Sequence, residues 1–274
     1  MTATTAPDLE AIKAKQQQTW ASGDYHAVAA TIPIISERLC EAADLRAGWR
    51  VLDVAGGSGN TALAAARCGA DVVSLDYVPS LLERSRERAL VEGLEYETVV
   101  GDAEALPFDD ASFDAVVSAV GVMFAPDHER AAAELLRVCR AGGTIALANW
   151  APDSFIGELF RTTAAHVPQP AGLRPPGLWG TEAHVRSLFS EGVSDLRAER
   201  RTYTFRYRSP EHFVDFFRTW YGPTHKAFAA LDAGGQQALA DDLAALVARS
   251  DRLSGEDAVA VPADYLEIVA TRAS

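Results

Sequence analysis

Arg50-Val-Leu-Asp-Val-Ala-Gly-Gly-Ser-Gly-Asn-Thr61 runs a short apolar segment, carrying one acid at Asp53, straight into a glycine-rich turn. An alanine-rich stretch from Thr61 to Cys68 follows and reads as helix. Strand, glycine turn and helix in this order present backbone N–H groups at the end of a doubly wound sheet, where nucleotide-like ligands sit.

The pattern repeats on either side of that turn. Asp71–Asp76 is a second β-branched strand, and Pro79 opens a helix through about Glu92, as proline prefers the first helical turn. Glu95–Val100, Phe113–Ala119 and Thr144–Trp150 read as further strands. A helix over Glu129–Arg140 is expected to end on Gly142-Gly143. Strands alternating with helices predict a parallel sheet, and their near-continuous apolar runs predict cover on both faces.

Outside 45–150 the rhythm changes. Upstream, helical patterns run from Leu9 to about Cys40, broken at Gly23-Asp24 and Pro33, and residues 1–44 read as a helical lid. Downstream come a helix near Ser154–His166, a proline-rich stretch from Pro168 to Gly180, and a helix at Glu182–Ser190. A strand follows at Leu196–Tyr207, with Tyr203, Phe205 and Tyr207 on one face. Helices then span Pro210–Ser250, the last with Leu239, Leu243, Leu246 and Val247 on one stripe, before a closing strand at Tyr265–Thr271. Segments 151–180 and 209–255 read as substrate-side insertions. The two late strands suggest an antiparallel addition to the sheet.

The 274 residues suffice for one α/β domain. A net charge of −13 argues against a nucleic-acid partner. The arginines at 197, 200, 201, 206 and 208 read as the solvated face of a strand. Cys40, Cys68 and Cys139 are scattered, with neither disulfide nor zinc spacing, so no metal is expected. No leader pattern and no apolar run of membrane-spanning length is present, which gives a cytoplasmic expectation.

Gly57-Ser-Gly59-Asn-Thr-Ala62 fits a variant of the dinucleotide fingerprint, and Asp76 lies where a ribose partner belongs in any adenosine cofactor. Neither discriminates. Asp53 does, because a carboxylate before the turn repels a pyrophosphate and suits a cation. So does Asp102, placed after the third strand where it can accept from an adenine amino group. With Val73-Ser-Leu-Asp76, Gly101-Asp-Ala-Glu-Ala-Leu-Pro-Phe108, Phe113-Asp-Ala-Val-Val-Ser118 and Leu135-Leu-Arg-Val-Cys-Arg-Ala-Gly-Gly143, the segment from 45 to 150 resembles the class I S-adenosylmethionine-dependent methyltransferases, in the small-molecule group that includes ubiquinone and menaquinone enzymes.

The resemblance implies an α/β fold with a doubly wound seven-stranded, mostly parallel sheet, the last strand antiparallel, and helical lid insertions. It implies that S-adenosylmethionine is held by Asp53 and Ala55, Gly56, Gly57 and Gly59 at its methionine part and ribose, by Asp76 at the ribose hydroxyls, and by Asp102 and Ala103 at the adenine, with Tyr77 also among the cofactor-binding residues. The backbone near Ser118 would face the cofactor's amino group. Residues 17–28 resemble the lid of relatives and would put Tyr25 near the sulfonium. One departure stands out: the family usually carries glycine where this chain has Ala55.

Methyl transfer from a sulfonium to a small apolar or aromatic acceptor needs chiefly positioning, and a base only for a protonated nucleophile. His225, after the Gly222-Pro223 break, and Tyr25 and Tyr221 are the catalytic candidates; Phe124, Phe217 and Tyr221 are candidates for the acceptor site. The aromatic stripe Phe213, Phe216, Phe217 and Trp220 reads equally as core or as a pocket roof. Alternative readings are a protein that binds the cofactor without transferring methyl, a non-catalytic binding module, and an NAD-dependent dehydrogenase. Oligomeric state is left open, a homodimer included.

Overall fold

The computed structural model describes residues 8–170, 172–253 and 257–274; the extreme ends of the predicted lid (1–7) and of the second insertion (254–255) lie outside them. The core alternates β1 (Arg50–Val54), α4 (Asn60–Arg67), β2 (Asp71–Asp76), α5 (Pro79–Glu92), β3 (Glu97–Val100), β4 (Phe113–Ala119), α6 (His128–Val138) and β5 (Cys139–Trp150). Before it stand α1 (Leu9–Trp20), α2 (Tyr25–Ala29) and α3 (Pro33–Ala42). After it come α7 (Phe155–His166), α8 (Glu182–Leu188), β6 (Val193–Tyr207), α9 (Pro210–Trp220), α10 (Gly222–Ala229), α11 (Ala233–Ser250) and β7 (Val259–Arg272).

The seven strands lie in the order β3-β2-β1-β4-β5-β7-β6. β1 pairs in parallel with β2 and β4, β2 with β3, and β4 with β5. β7 runs antiparallel to both its neighbours, β5 and β6. The expected seven-stranded sheet with an antiparallel last strand is therefore what the chain forms. β1 and β4 are neighbours, yet the chain leaves β1 toward β2 and β3 and returns to β4 on its other side. Their carboxyl ends open at this switch of direction, where doubly wound sheets leave a crevice.

Burial explains why the core strands are apolar throughout. Val51, Leu52, Val54, Ala115, Val116, Val117, Ile145 and Leu147 are all buried. Residues of both parities are covered along each strand, so helices lie on both faces. α11 contributes Leu239, Leu243, Leu246 and Val247, the predicted stripe, as its buried residues.

Two sequence expectations change here. The Gly142-Gly143 pair does not cap α6, which ends at Val138. The chain passes directly into β5, and register slips between Phe113↔Cys139 and Ala115↔Thr144, so residues 140–143 bulge out. Gly142 sits at φ +70, and a Cβ on Gly143 would stand 2.8 Å from the Asp114 carbonyl oxygen, so the glycines serve the bulge. The aromatic stripe of α9 is no pocket roof: none of its four residues lines the cavity, Phe216 is half-buried and Trp220 is exposed. Phe213 and Phe217 are buried and stacked at 4.2 Å, with Phe205 and Tyr207 of β6 against them.

β6 is a long edge strand guarded by arginine. Arg186 donates to the Leu196 carbonyl and Arg206 to that of Thr204. Arg200 pairs with Asp153 and Asp264, and Arg201 with Glu199 and Glu267.

Candidate functional site

A cavity of about 890 Å³, its open mouth included, lies over the carboxyl ends of β1, β2 and β4 and the loop after β3. Its floor is the turn Ala55–Ser58, with Asn60 and Thr61 at the start of α4. One side carries Asp76, Tyr77, Leu81, Asp102 and Ala103; the other carries Ala119–Val122 and Phe124–Pro126. Lys13, Trp20, Tyr25, Ala29, Ile32, Ile35 and Ser36 from α1–α3 complete the wall.

The turn is built close to its surroundings. A Cβ on Gly56 would meet Ser74 Oγ at 2.3 Å and Asp53 Oδ2 at 2.5 Å, so only glycine fits. Asp53 therefore lies one layer below the turn. It is fully buried, does not line the cavity, and its Oδ1 has no hydrogen-bond partner. Burial pushes its pKa up to about 7, reinforced by Asp76 and opposed by the Ala62 amide and Ser74. Gly59 and Ser118 also stand behind the wall. Gly59 caps α4 at φ +89, and Ser118 Oγ donates to the Val54 carbonyl while accepting from Val122 N–H.

Ala55 lines the cavity with φ +54, a left-handed conformation that favours glycine. Here the departure noticed in the sequence becomes a physical one. The methyl group also narrows the gap to Gly121, whose added Cβ would lie 2.9 Å from it.

Asp76 closes the end of β2. Oδ2 accepts from Gly57 N–H at 2.9 Å and Oδ1 from Val78 N–H at 2.8 Å. Burial nevertheless raises its pKa to about 6, against those amides. Asp102, at the end of β3, accepts from the Glu104 amide and from Lys13 Nζ at 2.8 Å. Lys13 also reaches Glu104 at 3.2 Å. Burial pulls the Lys13 pKa down, but its partners Asp102 and Glu10 outweigh this and raise it.

Helix α1 crosses the cavity on a stripe that the sequence reading missed. Lys13 holds Asp102, Gln16 Nε2 donates to the Phe124 carbonyl, Gln17 Nε2 donates to the Tyr77 carbonyl, and Trp20 packs on Phe124. Spacing of three, four and seven puts these four on one helix face. Three of them are polar, so no apolar periodicity announced the face. Its end is seated by Gly222, where a Cβ would meet the Thr19 carbonyl oxygen at 2.2 Å.

Trp20, Tyr25 and Phe124 form an aromatic wall, with Trp20 centroids 5.4 Å from Tyr25 and 4.8 Å from Phe124. Tyr25 also faces the turn, its Cε1 3.5 Å from where a Gly57 Cβ would be. Burial, with Asp76 adding to it, raises the Tyr25 pKa to about 12. Tyr221 lies one layer behind, 5.6 Å from Trp20 and 6.4 Å from Tyr25, and does not line the cavity. Phe217 lies deeper still, 5.3 Å behind Tyr221. His225 points elsewhere, its Nδ1 3.1 Å from the Arg218 carbonyl oxygen at the end of α9. The break at Gly222-Pro223 starts α10 and aims the histidine back along α9 instead of into the pocket. Of the residues singled out in the sequence, the fold thus gathers Tyr25, Ala55, Gly56, Gly57, Asp76, Tyr77, Asp102, Ala103 and Phe124 around one cavity. It leaves Asp53, Gly59, Ser118, Phe217, Tyr221 and His225 off its wall.

Residues 52–147 match a family described as a methyltransferase domain. An uncharacterised protein of Mycobacterium tuberculosis is 42% identical over 243 residues, covering 88% of each chain. The demethylmenaquinone methyltransferase of Thermus thermophilus is 40% identical over 109 residues, 39% of this chain and 50% of that enzyme. Among solved structures, the YcgJ protein of Bacillus subtilis superposes with a TM-score of 0.59 at 20% identity, covering 87% of this chain and 98% of that one, which is a likeness of fold. The cavity at the switch point, its glycine floor and the matched family agree: the chain belongs to the class I S-adenosylmethionine-dependent methyltransferases of small molecules.

Proposed function

We propose that the protein transfers a methyl group from S-adenosylmethionine to a small, apolar or aromatic acceptor by in-line displacement. One observation carries this reading. The cavity pairs a carboxylate side, Asp76 and Asp102 with Leu81 and Ala103 between them, with an aromatic wall of Trp20, Tyr25 and Phe124. The first suits an adenosine, polar at its ribose and amino group and flat between. The second suits an acceptor without charge-pairing needs.

In this reading Asp76 takes the ribose hydroxyls and Asp102 the adenine amino group, with Lys13 yielding or sharing its carboxylate. Ala103 and Leu81 flank the ring. The floor Ala55–Ser58 and the start of α4 receive the methionine end. Asp53 acts from beneath the floor, where its charge favours a cation above Gly56. When bound, the cofactor supplies the electrophilic methyl group. The chain's own work is to align the acceptor against it and to keep water out, which α1 and the aromatic wall achieve by closing the cavity.

Calorimetry tests the reading. S-adenosylmethionine is expected to bind the wild type, and Asp76→Ala to weaken binding at least about tenfold, or ~1.4 kcal/mol. Absence of binding by the wild type sinks it. Transfer itself requires S-adenosylhomocysteine to accumulate when acceptors are supplied; binding without product over a broad aromatic panel favours a non-transferring role.

A further inference from the structure

Both carboxylate oxygens of Asp102 already have a donor. Oδ1 accepts from the Glu104 amide at 2.9 Å, and Oδ2 accepts from Lys13 Nζ at 2.8 Å. An ammonium has three N–H donors and no acceptor. Those of Lys13 face Glu10 at 2.7 Å, Asp102 at 2.8 Å and Glu104 at 3.2 Å. The three acids differ in place. The Glu10 side chain is 86% exposed, so water replaces it at little cost. Asp102 lines the cavity beside Lys13. Glu104 is 3% exposed and stands behind the wall. Its Oε1 accepts from the Asp127 amide, which leaves Oε2 for Lys13.

An adenine amino group and an ammonium are both donors, so side by side on one oxygen they oppose each other. Resting on the methyltransferase reading, in which Asp102 takes the adenine amino group, we propose that Lys13 is a specificity-determining residue for the base. It competes with the amino group for Asp102 Oδ2 and moves over to Glu104 when the cofactor enters. Helix α1 stays in place during this exchange, because Gln16 and Gln17 still donate to the Phe124 and Tyr77 carbonyls. The competition has a sign. It weakens a base with an amino group, which must displace the ammonium. It favours a base with a carbonyl oxygen at the same position, to which the ammonium can donate. A carboxylate by itself rejects that carbonyl, since two acceptors would meet without a proton between them. Lys13 therefore narrows the preference for adenine that Asp102 imposes.

The test titrates the full chain with two probes that carry no methyl group to transfer. These are S-adenosylhomocysteine and S-inosylhomocysteine, which has a carbonyl oxygen in place of the amino group. The readout is the ratio of their dissociation constants by calorimetry. Both probes bind beneath the same helix, so a general loosening of α1 divides out of the ratio. Lys13→Met is expected to raise the preference for the adenosyl probe about threefold to tenfold, the range for a partly exposed ion pair and a charged hydrogen bond. Glu104→Gln removes the charge that receives Lys13 and is expected to lower the preference by about twofold or more. Gln17→Ala, which loosens α1 away from Asp102, is expected to leave the ratio unchanged. The proposal is overturned if Lys13→Met leaves the ratio in place or lowers it. It is equally overturned if Glu104→Gln does not lower the ratio, or if Gln17→Ala raises it as much as Lys13→Met. The opposite signs keep the test decisive should one of the two charge variants fail to fold. Failure of the wild type to bind S-adenosylhomocysteine is a distinct result, which removes the methyltransferase reading and this inference with it.

Discussion

Asp53 makes folding stability depend on pH in an unusual direction. It is fully buried under the glycine floor, with Oδ1 unpartnered, and its pKa rises from 3.8 to about 7. A carboxyl whose folded pKa lies above its unfolded one contributes stability at low pH and loses it as pH rises toward the folded value. Three units at about 1.4 kcal/mol each set the full loss near 4 kcal/mol, of which roughly 2–3 kcal/mol falls between about pH 5 and pH 8. Asp53→Asn keeps the shape and removes the charge. Urea unfolding of both proteins across that range, with ligand absent, measures the difference directly. The wild type is expected to lose about 2–3 kcal/mol more than the variant on going to the higher pH. Subtracting the variant cancels other titrating groups, Asp76 among them, apart from its mutual repulsion with Asp53. Parallel pH profiles for the two proteins would refute the reasoning, since they would show Asp53 solvated or compensated in the native state.

Ala55→Gly relieves a left-handed alanine at φ +54, and is expected to raise the melting temperature by roughly 2–4 °C, about 1 kcal/mol for a chain of this size, in a thermal scan. A fall instead would show that the methyl's packing outweighs the strain. Lys13→Met strips the partner from Asp102 and from Glu104, whose side chain is 3% exposed. It is expected to cost about 1–3 kcal/mol and to increase proteolytic cleavage within α1, read by limited proteolysis with mass spectrometry.

The core was legible because its signals are local. A β-branched run, a glycine turn and a helix restrict φ and ψ within a few residues, so β1, β2 and β4 and the cavity floor follow from sequence order alone. Asp76 and Asp102 were legible for the same reason: each ends a strand whose direction was already known. The stripe of α11 was equally plain, because Leu239, Leu243, Leu246 and Val247 share one helical face. Gly142-Gly143 shows where such reasoning gives way. Two glycines after a helix signal a cap as readily as a bulge, and the choice rests on pairing with β4 across the sheet.

Alternation and turn chemistry by themselves determined the doubly wound sheet and suggested its antiparallel addition, since each depends on backbone geometry that neighbouring residues impose; the family followed from the resemblance of residues 45–150. Depth relative to the cavity was decided only by the tertiary structure. Asp53 lies below the floor because Gly56 packs onto it, and Phe217 and Tyr221 fall behind Trp20 because α9 turns its aromatic face toward β6. His225 bonds a carbonyl of α9, while Lys13, Gln16 and Gln17, polar residues with no apolar period, close the site. Which layer a side chain occupies depends on how distant elements pack, and a run of residues cannot encode that distance.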